Sequence, residues 1–242
     1  MRYLVEIQYD GTHYHGWQIQ PNAITVQETI LERLSKIIPQ QGLNIVGCGR
    51  TDTGVHASQF FFHFDVAEEI DAEQISFKLN HMLPDDIAVK GVVLVADELH
   101  ARFSAKSRTY HYYLNFQKDP FDRFHTYYYT KELDVEAMNQ ACKQLFNHKD
   151  FTSFSKVKTD TKTNDCIITE AHWQIEGTKI IFTITANRFL RNMVRAIVGT
   201  MLEVGEHKLS LDGFNKVIEA KDRGKAGKSV PGHGLFLAKI KY

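Results

Sequence analysis

Net charge is the first thing this chain lacks: 29 Lys plus Arg balance 29 Asp plus Glu over 242 residues. Overall charge therefore gives no argument for a nucleic acid partner, and any binding face must come from local asymmetry. Cysteine is scarce. Cys48, Cys142 and Cys166 stand far apart with no CxxC pair, which fits neither a disulfide framework nor a thiolate zinc site and points to a reducing cytoplasm. No stretch of about 18 consecutive apolar residues exists, and the first residues enter a strand pattern without a cationic leader or apolar segment. Neither secretion nor a membrane span is expected. The hydrophobic fraction of 43% is ordinary and allows one large or two medium domains.

The periods of the apolar residues give an order of elements. Tyr3, Val5, Ile7 and Tyr9 alternate through residues 2–9, and Val26, Ile30, Leu31, Leu34, Ile37 and Ile38 share one helical face through 26–38. Thr25 and Glu28 form a capping box at that helix start. A short strand near 44–48, a loop, a strand at 59–65, a helix near 71–83 and a strand near 87–96 follow. That is β-α-β-β-α-β, the split βαβ or ferredoxin-like unit. The second half repeats the theme with insertions: strands at 108–116 and near 126–130, a helix at 134–147, strands at 166–175 and 179–187, helices at 189–204 and near 212–221, and a strand at 235–241. The expectation is an α+β chain of two subdomains, 1–105 and 106–242, with a substrate cleft between their sheets; one continuous sheet fits the periods equally well.

Gly49-Arg50-Thr51-Asp52-Thr53-Gly54-Val55-His56 carries the strongest chemical signal. Flanking glycines let the backbone turn sharply, and an arginine two residues before the aspartate supplies a cation favouring its charged form. A turn aspartate that caps its own loop is the plain alternative. Arg50, Asp52 and His56 crowding one loop is more than a turn requires, and Asp52 is the candidate reactive carboxylate.

Within Arg108-Thr109-Tyr110-His111-Tyr112-Tyr113, alternation sends Tyr110 and Tyr112 to one face, and core packing explains most of this strand. A phenol in a cleft stacks on a base and exchanges a proton, so one of the two is a candidate for substrate contact; position alone does not choose. Arg188, Arg191 and Arg195, spaced by three and four, form one stripe on the helix expected from 189, opposite Phe189, Leu190, Met193, Val194 and Ile197. Such a stripe is ordinarily a solvated face, yet cations near a helix N-terminus are disfavoured unless an anion offsets them. Further basic runs are Arg102, Lys106 and Arg108; Lys156, Lys158 and Lys162; and the Gly-rich, mobile-looking segment from Lys221 to Lys228. Runs from both halves lining one groove would suit a phosphate backbone. His13 and His15 lack an evident third ligand, and no metal is expected.

Together the loop, the tyrosine strand and the arginine helix resemble the TruA family of tRNA pseudouridine synthases nearly end to end. The matching segments include Tyr9-Asp10-Gly11-Thr12, His15-Gly16-Trp17-Gln18, Gly49 through His56, His100-Ala101-Arg102-Phe103-Ser104-Ala105, Asp150-Phe151-Thr152-Ser153-Phe154, Met193-Val194-Arg195 and Gly234-Leu235-Phe236-Leu237. The resemblance implies isomerisation of uridine to pseudouridine at positions 38, 39 and 40 in the anticodon arm of tRNA, with no cofactor. It implies that Asp52 is the catalytic carboxylate, that Tyr110 contacts the target base, that Arg50 and Arg195 hold Asp52 and the flipped nucleotide, and that Leu235 walls the pocket. It also implies a homodimer and two ferredoxin-like halves sharing a mostly antiparallel sheet around a central cleft. Two departures stand out: Thr53 where the family commonly has alanine, and Val230-Pro231-Gly232-His233 in place of a more usual Ala-Pro-Pro-His.

Two other readings compete. Asp52-Thr53-Gly54 also matches an aspartic protease triplet, but a protease dyad needs one Asp to keep its proton, whereas Arg50 favours ionisation, and Arg-Thr precedes Asp52 rather than an apolar strand. A non-catalytic RNA-binding module explains the arginines and tyrosines, since sheet aromatics stack bases, but not a carboxylate placed where phosphates repel it.

Overall fold

The computed structural model describes residues 1–156 and 163–242, so Lys158 and Lys162 of the second basic run lie outside the described residues. The chain is mixed α+β and groups into two compact units, Met1–Lys106 with Leu237–Tyr242, and Ser107–Phe236.

In the first unit, β1 (Arg2–Tyr9) leads to α1 (Val26–Ile37), β2 (Ile45–Gly47), β3 (His56–Asp65), α2 (Ala72–Met82) and β4 (Ile87–Val95). β1 lies between β4 and β3, β2 pairs with β3, and every one of these pairs is antiparallel. The alternation of β1 puts Tyr3, Val5, Ile7 and Tyr9 in the core beside Phe60, Phe62 and Phe64 of β3. The two helices start where small polar residues satisfy a first-turn amide: Thr25 accepts from Glu28 N at 3.3 Å and Asp71 from Gln74 N at 2.9 Å. Strand β3 begins at His56, earlier than its apolar run suggests, so the Asp52 loop opens directly onto a strand.

In the second unit, β5 (Ser107–Asn115), β6 (Tyr127–Tyr128), α3 (Val135–Leu145), β7 (Ile168–Glu176), β8 (Lys179–Ala186), α4 (Met193–Gly205) and α5 (Leu211–Glu219) follow in order. β8 lies between β5 and β7 in antiparallel pairing, and β6 runs parallel to β5. The last strand, β9 (Leu235–Lys241), starts in this unit and ends in the first, where Ile240 N donates to Gln59 Oε1 at 2.9 Å.

Helix α4 corrects the expected 189–204 helix. It begins at Met193, because Asn192 takes a left-handed conformation at φ 67° that a continuing helix does not permit. Arg188 and Arg191 therefore precede the helix, and only Arg195 stands on it. A single turn in which Met193 N donates to Leu190 O keeps Leu190 and Met193 at helical spacing, which is why the apolar period extends too far back. Nor is Arg195 on a solvated face: every residue of α4 except Arg195 and Glu203 is buried.

The segment from Lys221 to Lys228 differs from expectation as well. Gly227 N donates to Thr200 Oγ1 at 2.9 Å, and Arg223 donates to the carbonyls of Ala226 and Gly227 and to Ser229 Oγ. A Cβ at Gly199 would meet Lys228 O at 1.8 Å, so this glycine lets the segment lie on α4. The run is fixed by backbone approach and hydrogen bonds despite its composition.

Candidate functional site

The Asp52 loop is set by its neighbours in the first unit rather than by its own residues. Trp17 N donates to Thr51 O at 3.3 Å, Gly54 N to Tyr14 O at 3.2 Å, and Gly11 N to His56 Nδ1 at 3.0 Å. Inside the loop, Val55 N donates to Asp52 O at 3.2 Å, and the buried hydroxyls of Tyr9 and Thr51 meet at 2.9 Å. The segment 10–17 thus clamps both sides of Asp52. Gly16 makes the clamp possible: its φ is +88°, and a Cβ there would lie 2.3 Å from Thr51 O. Of the two glycines flanking the loop, only Gly54 uses glycine's freedom, at φ +72°; nothing stands within 4 Å of a Cβ at Gly49.

Asp52 itself is half-buried and aims from a rigid turn, whereas Arg50 is exposed. The Arg50 side chain lines a groove of about 270 Å³ with Arg102, His100 and Phe103. His56 is buried with Nδ1 3.0 Å from Asp10 Oδ1, and the Asp10 carboxylate accepts from the amide of Thr12 at 2.9 Å. This is loop architecture that motif spacing alone does not reveal.

In the second unit the structure separates the two tyrosines that alternation left equivalent. Tyr112 is fully buried, donates its hydroxyl to Pro231 O at 2.9 Å, and has its pKa pushed well above the ordinary phenol value by burial. It is a core residue. Tyr110 is half-buried with its ring edge-on to Phe189 at 5.1 Å, in the segment just before α4.

Arg195, in the first turn of α4, donates from Nε to Val230 O at 2.8 Å, and Val230 N donates back to Arg195 O at 3.2 Å. Two contacts, this one and Tyr112 on Pro231, hold the strap that leads into buried Leu235. Gly234 is tight against that strap's support, since a Cβ there would lie 2.9 Å from the Tyr112 ring. Val230 and Gly232, the departures noted in sequence, thus lie in a segment fastened by its backbone carbonyls, which any residue supplies. Tyr110, Arg195 and Leu235 belong to the second unit, and Asp52 and Arg50 to the first.

The three cysteines are buried free thiols, and burial pushes Cys142 up to about 12 and Cys166 up to about 11, outside the range of reactive thiolates. No helix among the described residues is long and apolar enough to cross a membrane.

Comparison with known proteins matches residues 6–104 and 141–242 to a family described as tRNA pseudouridine synthase. The chain is 56% identical to the tRNA pseudouridine synthase A of Parabacteroides distasonis, over all of this chain and 96% of that protein. It is 52% identical to the protein of that name from Bacteroides thetaiotaomicron, over all of this chain and 90% of the relative. A more distant relative of the same name, from Bacillus subtilis, is 40% identical over all of this chain and 99% of its own length.

Proposed function

The chain belongs to the tRNA pseudouridine synthase family, and from that premise we propose that it isomerises uridine to pseudouridine at positions 38, 39 and 40 in the anticodon arm of tRNA. The observation that carries the reading is the Asp52 loop: a carboxylate on a turn pinned by backbone hydrogen bonds with Trp17, Tyr14 and Gly11, in a chain similar throughout its length to proteins named for this activity. The reading involves no cofactor.

In this proposal Asp52 is the catalytic carboxylate. It attacks the uracil ring or the sugar, or removes a sugar proton, and in each case the glycosidic bond to nitrogen breaks and a bond to carbon forms. The detached ring must be held meanwhile, so the nucleotide leaves the stack, at a cost of roughly a few kcal/mol that pocket contacts must offset. Tyr110 contacts the base, Arg195 and Arg50 bind the nucleotide, and Leu235 provides an apolar wall. Arg195 suits this because, of the first two turns of its helix, it alone is not buried, and a cation at a helix N-terminus is favoured beside an anion. The finer fold reading is part of the same proposal: two ferredoxin-like subdomains, 1–105 and 106–242, sharing a mostly antiparallel sheet around a cleft. The β-α-β-β-α-β order of the first unit supports it. A cytoplasmic homodimer acting on tRNA completes the reading.

The test is to incubate an unmodified tRNA transcript with the protein and map pseudouridine by chemical derivatisation, because the isomerisation leaves mass unchanged. Derivatised sites in the anticodon arm are expected. Binding without modification would favour the non-catalytic RNA-binding module.

A further inference from the structure

Residues 100–104 form a turn of unusual construction in the first unit. His63, buried in β3, accepts the Ala101 amide at Nδ1 at 3.1 Å, and the Tyr242 hydroxyl donates to Ala101 O at 2.7 Å. His100 Nδ1 lies within hydrogen-bond distance of the amides of Arg102 and Phe103, at 3.1 and 3.2 Å, and Ser104 Oγ accepts from the amide of His100 at 2.9 Å. Four of the turn's five amides and the Ala101 carbonyl are therefore held by side chains, and the Ser104 amide donates to His100 O at 2.9 Å. What this rigid turn presents is Arg102, exposed, and Phe103, which is 76% exposed. An exposed phenylalanine on a fixed turn loses hydrophobic burial without gaining chain entropy.

The surroundings say what it contacts. Phe103 rests one face near the His100 ring, centroids 4.3 Å apart, with the Arg102 guanidinium 5.6 Å from its centroid. Beside it runs the groove of about 270 Å³ whose lining includes Arg50 and Arg102, the amides Gln18 and Asn44, and no carboxylate. A flat aromatic platform, the Arg102 cation and neutral hydrogen-bonding amides make up a site for an unpaired nucleotide: the base stacks, the phosphate meets Arg102 while Arg50 at the other side faces the isomerised nucleotide, and the amides reach the base edge. An acidic peptide would not use the platform, and an apolar ligand would not use the arginines.

We infer that this groove is a second RNA-contact site, which takes one unpaired nucleotide of the substrate other than the uridine that is isomerised. The inference rests on the proposed function for the identity of the RNA. Phe103 and Arg102 then act in binding and not in the isomerisation. The pinned backbone makes the site pre-formed, so little ordering opposes binding.

The experiment measures Kd, KM and kcat for an unmodified tRNA transcript with the wild-type chain and with Phe103→Ala, Phe103→Tyr and Arg102→Ala. Loss of one stacked base weakens binding by about 5- to 150-fold, so Phe103→Ala is expected to raise Kd and KM within that range with kcat at saturation unchanged. Phe103→Tyr keeps the platform and should bind like wild type. Arg102→Ala should weaken binding and reduce the slope of log K against log salt by about 1. Kd and KM for Phe103→Ala equal to wild type would overturn the inference while leaving the proposed function intact. A wild-type chain that modifies no tRNA would overturn the function first. A fall in kcat alone would move Phe103 from binding to positioning and also overturn the assignment.

Discussion

The hydroxyl of Tyr9, at the end of β1, meets Oγ1 of Thr51 at 2.9 Å inside the core, one residue before Asp52. The candidate catalytic loop is thereby tied to the central strand of its own unit. Tyr9→Phe would leave the buried Thr51 hydroxyl without this partner, at a cost of about 1–3 kcal/mol. A lower midpoint in urea unfolding is expected, with a reduced kcat and a nearly unchanged KM for tRNA. Unfolding and steady-state kinetics on one preparation check both parts.

Tyr110 and Tyr112 should respond oppositely to the same change. Tyr112→Phe leaves the Pro231 carbonyl unpaired, so it is expected to cost about 1–3 kcal/mol of stability. Tyr110→Phe is expected to lower turnover by tenfold or more with a smaller loss of stability than Tyr112→Phe. Thermal unfolding and pseudouridine yield for the two variants decide whether the division holds.

Much of this was legible in the sequence, and the rest failed for physical reasons. The element order through β4 followed from apolar period, and Thr25 announced α1 because a cap is a local interaction. Asp52 stood out for its company. The start of α4 was not legible, since one left-handed residue at Asn192 breaks a helix without breaking the spacing of Leu190 and Met193. Alternation alone did not separate Tyr110 from Tyr112, because both share a face, and the burial of Tyr112 against Pro231 is a tertiary contact that the strand period does not carry. The clamp on Asp52 by residues 10–17 was invisible because Gly16 and Trp17 act through backbone groups across sequence.

Acid should destabilise the first unit in a defined window. His63 has its pKa lowered from 6.5 to about 4, first by desolvation and then by the nearby Arg2 and His100. The folded state therefore favours the neutral ring, which accepts the Ala101 amide, while the unfolded chain takes up a proton sooner. The contribution is fully present above pH 6.5 and is lost as pH falls towards 4, a few kcal/mol at most at about 1.4 kcal/mol per unit. Urea unfolding between pH 7 and 4 should show this slope, and His63→Gln should flatten it. An unchanged slope in that variant would place the acid sensitivity elsewhere.

The most direct measurement pairs chemical mapping of pseudouridine in tRNA with binding for the wild-type chain and Asp52→Asn, which keeps the shape of the loop and removes the charge. The expected result is derivatised sites in the anticodon arm with wild type, none with Asp52→Asn, and tRNA affinity within a few fold of each other. Appreciable pseudouridine formation by Asp52→Asn would contradict the role of Asp52, and its absence with both proteins would contradict the function itself.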